Sequence, residues 1–167
     1  MKNASAAAIA ASFLILNCSA AFGGEWQFDE STSPVDDSKI ISLVLQSKEP
    51  FKDRFGNDEL GSLVLKCQNH KTLFAIWAGG EVMGGKDYDT IIRFDKLPAQ
   101  TYSFDTSTDY KALVVSGMTA ASIIQKIETA RTMFARVVLF GGEQLDLRFD
   151  LSGFKSMLSK VTPFCDW

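Results

Sequence analysis

Histidine occurs once in the 167 residues, as His70, and cysteine three times, as Cys18, Cys67 and Cys165. So few ligands exclude a closed zinc site, which takes four Cys or His side chains. No nucleophile and acid are arranged around His70, which lies in the polar turn Gln68-Asn69-His70-Lys71 and reads as an exposed turn residue. Basic residues do not cluster, which excludes the usual footprint of nucleic-acid binding and of an anionic membrane surface. Like-charge runs, repeat arrays and low-complexity tracts are absent. Beyond residue 23 no apolar run approaches the ~20 residues of a membrane-spanning helix, so no transmembrane segment is expected after that point.

The first 23 residues have the pattern of an export signal. Lys2 supplies the positive start, Ala6 to Leu16 is an apolar run, and Ala21-Phe22-Gly23 places small residues around a cleavage point before Gly24. A membrane anchor needs a longer run. Lipidation at Cys18 is a minor alternative, because Asn17 stands where a small residue is wanted. Of the 17 basic residues one, Lys2, lies in the leader, so 16 face 20 acidic ones in residues 24–167, a net charge of −4. That stretch has the length of a single domain, and the expected location is periplasmic or secreted.

Cys67 and Cys165 remain after cleavage. In an oxidising compartment a lone pair forms a disulfide, the alternative being two buried free thiols. Closing about 100 residues contributes roughly 4.7 kcal/mol in the chain-entropy model. The bridge would staple the chain's tail to a strand in mid-domain.

Period-two runs dominate the middle of the chain. Strands are expected at 39–46, 62–67, 72–78, 89–94, 101–107 and 110–116, with Asn69-His70 and Thr108-Asp109 as turns. Residues 24–37 read as an aromatic-bearing start, Trp26-Gln27-Phe28, becoming turn-like at 31–34, and 47–61 as a loop. Ala120, Ile123, Ile124, Ile127, Ala130 and Phe134 share a helical face, giving a helix over 119–134 capped by Thr119. Strands at 136–140 and 144–149 flank Gly141-Gly142-Glu143, and Ser152 caps a short helix over 153–160. The sum is α+β: a mainly antiparallel, sandwich-like sheet with one amphipathic helix, a short C-terminal helix and one disulfide.

Other groups carry little chemistry. The pairs Gly79-Gly80 and Gly84-Gly85 lack the Lys-Ser or Lys-Thr of a phosphate loop and read as a hairpin loop. Asp36-Asp37-Ser38 has too few oxygens for calcium and reads as a turn bonded to nearby amides. No cofactor site is expected. Arg-Phe-Asp occurs twice, at 93–95 and 148–150. Alternation turns Phe94 and Phe149 inward and exposes the flanking charges. A duplicated unit and two similar sheet edges both explain the repeat. Arg93, Arg148, Asp36 and Asp37 are the candidate partner-contact residues.

The ordered set of Trp26, Pro34-x-Asp36-Asp37-Ser38, Leu63-Val64-Leu65-Lys66-Cys67, Arg93-Phe94-Asp95, Asp105-x-Ser107-x-Asp109, 149–154 (FDLSGF) and Cys165-Asp166-Trp167 resembles the VasI (TagO) family associated with type VI secretion. Lys66 stands where that pattern has Arg. The resemblance implies an exported accessory protein without established catalysis, whose partners are other envelope or secretion-apparatus proteins. The alternative is a small periplasmic hydrolase or cell-wall enzyme using carboxylates such as Asp105 and Asp109, which would need a cleft and separated pKa values.

Overall fold

Alternation of buried and exposed side chains sets most of the architecture. The computed structural model describes residues 25–79 and 88–167. The leader and the glycines at 80, 84 and 85 lie outside the described residues. In chain order the strands are β1 Gln27–Thr32, β2 Lys39–Gln46, β3 Phe51–Lys52, β4 Asp58–Glu59, β5 Ser62–Gln68, β6 Lys71–Trp77, β7 Tyr88–Phe94, β8 Gln100–Thr106 and β9 Ala112–Ser116. Helix α1, Gly117–Thr129, follows, then β10 Thr132–Val138, β11 Gln144–Asp150 and helix α2, Phe154–Val161.

Nine strands form one antiparallel sheet in the order β1-β2-β5-β6-β9-β8-β7-β10-β11, and β3 pairs with β4 in a separate hairpin. Pairing between β8 and β9 is limited to Asp105–Val114 and Thr106–Leu113. The sheet turns a corner there, and its two leaves share one core. Phe74 of β6 meets Phe104 of β8 across that core, ring centres 6.4 Å apart. The far margins also meet. The amide of Lys48, just past β2, donates to the Arg148 carbonyl of β11 at 2.7 Å. Gly61 lies so close to Leu147 that an added Cβ would stand 2.7 Å from its methyl carbons. The fold class is thus the expected α+β sheet protein.

Cys67 on β5 and Cys165 are disulfide-bonded, with Cα atoms 5.3 Å apart. The tail is fixed further by Trp167, whose indole N–H donates to Glu128 of α1 at 2.9 Å. Asn69 and His70 both have positive φ, 50° and 59°, the backbone of a two-residue hairpin turn that follows the sheet's twist. Helix α1 buries Ala120, Ile123, Ile124 and Ile127, an i, i+3, i+4, i+7 stripe, and packs on β6 and β9.

Five expectations need correction. The long helix stops at Thr129, five residues early, and Phe134 belongs to β10. Met133, Ala135 and Val137 are buried while their neighbours are partly exposed; this period-two pattern overrides the chance helical spacing of Phe134. The cap residue is Ser116, not Thr119, and it makes no side-chain cap bond. Gly153, at φ 86°, and not Ser152, precedes α2, because that position needs a left-handed backbone. Residues 27–32 form an edge strand, exposed along its whole length, and the 47–61 loop contains the β3–β4 hairpin.

Candidate functional site

Three strands of the second leaf place the chemistry. β7 and β11 both run antiparallel to the β10 between them, so they run in the same direction. The register sets Arg93 opposite Phe134 and Phe134 opposite Arg148. One position along, Phe94, Met133 and Phe149 align and are buried. The two Arg-Phe-Asp triplets therefore occupy matching positions on either side of one strand. The edge explanation holds for β11 but not for β7, which lies inside the sheet between β8 and β10.

The outward row opens into a cleft of about 520 Å³, lined by Lys48, Arg93, Phe134, Arg136, Asp146 and Arg148 among others. Phe134 is its floor. The guanidinium carbons of Arg148 and Arg136 lie 5.6 and 5.7 Å from its ring centre, within cation–π range. Arg136 is also paired: its Nε and Nη2 donate to the two carboxylate oxygens of Asp146 at 2.6 and 2.8 Å. This fork raises the Arg136 pKa and lowers that of Asp146. Arg93 and Arg148 are exposed and make no ion pair among the described residues.

Two further carboxylates border the cleft, Glu49 and Asp95. Asp95 is committed to the backbone. It accepts from the Thr132 amide at 2.9 Å, the Thr132 hydroxyl at 3.1 Å and the Arg131 amide at 3.1 Å. Burial raises its pKa, but the amides of Thr132 and Arg131 and the Thr132 hydroxyl outweigh that and hold it below the usual carboxylate value. These bonds also explain where α1 ends, since Asp95 holds the Arg131 and Thr132 amides at the point where β10 begins.

Of the four expected contact residues, Arg93 and Arg148 come together and Asp36 and Asp37 do not join them. Asp36 and Asp37 precede β2 whereas Lys48 follows it, and eight residues of strand span about 26 Å. Asp36 accepts from the Ser38 hydroxyl and amide at 2.7 and 3.2 Å and from the Asn69 side chain at 3.2 Å. Hydrogen bonding by Ser33, then Ser38, depresses its pKa. Its role there is to shape the β1–β2 turn. Phe134, Arg136 and Lys48 escaped the sequence reading. Phe134 was hidden by its helical spacing, and Lys48 reaches the cleft through a contact one hundred residues away in the chain.

Neither Asp105 nor Asp109, the carboxylates of the hydrolase alternative, lines this cleft. Asp105 is an exposed residue of β8. Asp109 accepts from the Ser107 hydroxyl at 2.5 Å and the Lys111 amide at 3.3 Å, a turn-forming arrangement that lowers its pKa. His70 is exposed, as expected, with Nδ1 3.5 Å from an Asp166 oxygen. Among the described residues no group of three or more His, Cys, Asp or Glu side chains is placed to hold a metal ion. No described helix is long and apolar enough to cross a membrane.

The fold and cleft define a disulfide-clasped α+β protein with an arginine-flanked aromatic groove on its outer sheet face. No family model and no curated protein sequence matches the chain. Among solved structures it is similar to invasion-associated protein B of Bartonella henselae, with a TM-score of 0.56 over 84% of this chain and 92% of that one, at 9% identity. Likeness at that identity is a likeness of fold.

Proposed function

We propose that this is an exported, non-catalytic interaction protein of the bacterial envelope that grips a partner protein at the β7–β10–β11 cleft. The observation that carries the reading is the Arg93–Phe134–Arg148 row, a half-buried ring flanked by two exposed arginines that make no ion pair among the described residues. Arginine and aromatic side chains concentrate binding energy at protein interfaces. The Cys67–Cys165 bridge supports the location, because such bonds persist in oxidising compartments. The resemblance to the VasI family makes a type VI secretion accessory the specific form of the proposal. Neither Asp105 nor Asp109 lends support to the hydrolase alternative.

Photo-crosslinking tests this in the native host. A benzoylphenylalanine placed at Phe134 should yield one defined adduct with an envelope protein, abolished by R93E or R148E in chains that still export and fold. The same probe at Phe55, exposed on the β3–β4 hairpin, is the control. Equal adducts from both positions, or adducts indifferent to charge reversal, would remove the cleft from the function.

A further inference from the structure

The cleft's charge inventory identifies its ligand more narrowly. We infer that it binds an acidic peptide segment, with a single carboxylate of the partner clasped between Arg93 and Arg148 while apolar atoms of the segment lie against Phe134. This rests on the interaction reading above and gives it a ligand class.

The two arginines face the same residue from neighbouring strands. At 4.7–4.9 Å per strand their Cα atoms stand roughly 10 Å apart, a gap that two long side chains close from opposite sides. A guanidinium presents paired N–H donors that match the two oxygens of a carboxylate, so the row is a two-sided carboxylate clamp. The third arginine is largely withdrawn from this task, since Asp146 already occupies the Nε and Nη2 donors of Arg136. Asp95 is equally withdrawn from competition by the amides of Arg131 and Thr132.

The balance of charge selects the occupant. Lys48, Arg93, Arg136 and Arg148 border the cleft with Glu49, Asp95 and Asp146, four cations against three carboxylates. The surplus is one positive charge. That matches one Asp or Glu side chain. A phosphate dianion or a polyanion would bring two or more charges among three carboxylates and meet repulsion. Phe134 adds an apolar floor, on which the methylene groups beside a carboxylate or a neighbouring apolar side chain can lie. A volume of about 520 Å³ suits a short extended segment.

The test is an NMR titration of ¹⁵N-labelled protein recovered from export-competent cells. The probes are the blocked peptide acetyl-Ala-Phe-Glu-Ala-amide, its Glu→Gln counterpart, and inorganic phosphate. The Glu peptide should shift the amides of Arg93, Phe134 and Arg148 saturably, bind at least about fivefold more tightly than the Gln peptide, and weaken with added salt. Arg93→Gln and Arg148→Gln should each reduce that affinity roughly tenfold while the remaining amide resonances stay dispersed. Arg148→Lys should rescue part of it, because it restores charge without the fork, and Lys66→Gln on the other leaf should change nothing. Equal response to the two peptides, shifts centred outside the cleft, tighter binding of phosphate, or arginine variants that bind normally would each overturn the inference. A protein that crosslinks from Phe134 yet ignores the Glu peptide keeps the envelope interaction and loses the carboxylate clamp.

Discussion

At the scale of residues, the site is defined by which charges are already engaged. Arg136 and Asp95 are committed to partners inside the molecule, whereas Arg93 and Arg148 make no ion pair among the described residues, Arg148 resting over the Phe134 ring. Asp95 also makes acid stability predictable. Its folded pKa is lowered, so the unfolded chain takes up its proton first. The stability it contributes is present above the unfolded value near pH 4 and is lost as pH falls through the lower folded value. Asp36, Asp53, Asp109, Asp146 and Asp150 are shifted in the same direction. Melting temperature should therefore hold steady from pH 7 to about 5 and drop below about 4. Asp95→Asn should melt lower at pH 7 and show a shallower acid drop; an identical acid slope in variant and parent would contradict this assignment. Gly79 offers a steric test. It has φ +66°, and an added Cβ would collide with the Phe51 ring and stand 2.9 Å from the Glu59 Cβ. Gly79→Ala should cost about 1–3 kcal/mol in denaturant melts.

Elements were legible where periodicity was clean. β2 follows directly from its run of β-branched and aliphatic residues, the hairpin at Asn69-His70 from turn chemistry, and the α1 stripe from i, i+3, i+4 spacing. β1 was not legible, because every one of its six residues is exposed and no buried face marks it. The end of α1 was misread because Ala130 and Phe134 continue the helical spacing by chance; a side-chain bond from Asp95, 36 residues upstream, decides the boundary instead. The repeated Arg-Phe-Asp was visible, but its meaning required the strand order, which places the two copies around β10. The candidate site was thus half legible: two arginines were named, and the aromatic floor and the flanking cations emerged with the register. The buried middle of this triad is Phe149, fully enclosed opposite Met133. Phe149→Ala should destabilise by about 3–5 kcal/mol and abolish cleft binding through loss of the sheet, whereas Arg148→Gln should spare stability. Denaturant melts of the two variants distinguish packing from binding.

At the scale of the molecule, the bent sheet leaves two distant margins, and the disulfide, the Lys48–Arg148 backbone bond and the Trp167–Glu128 bond close the structure around a common core. The cysteine pairing was readable from compartment and count alone. The corner at β8–β9 was not, since nothing local distinguishes a strand that pairs over two residues from one that pairs over seven. A Cys67→Ser/Cys165→Ser double variant should lose on the order of 4–5 kcal/mol and free the tail from β5. If its unfolding midpoint in urea matches that of the parent, the clasp carries no stability.

A role at the envelope requires that the polypeptide leave the cytosol and be oxidised outside it. Intact mass spectrometry under non-reducing conditions, with thiol alkylation at the moment of lysis, reads both events on one molecule from its native host. The predicted mass is that of residues 24–167 less two hydrogens, with no alkyl group added. A species of all 167 residues carrying alkylated Cys67 and Cys165 would contradict the export, the bridge and the envelope function built on them.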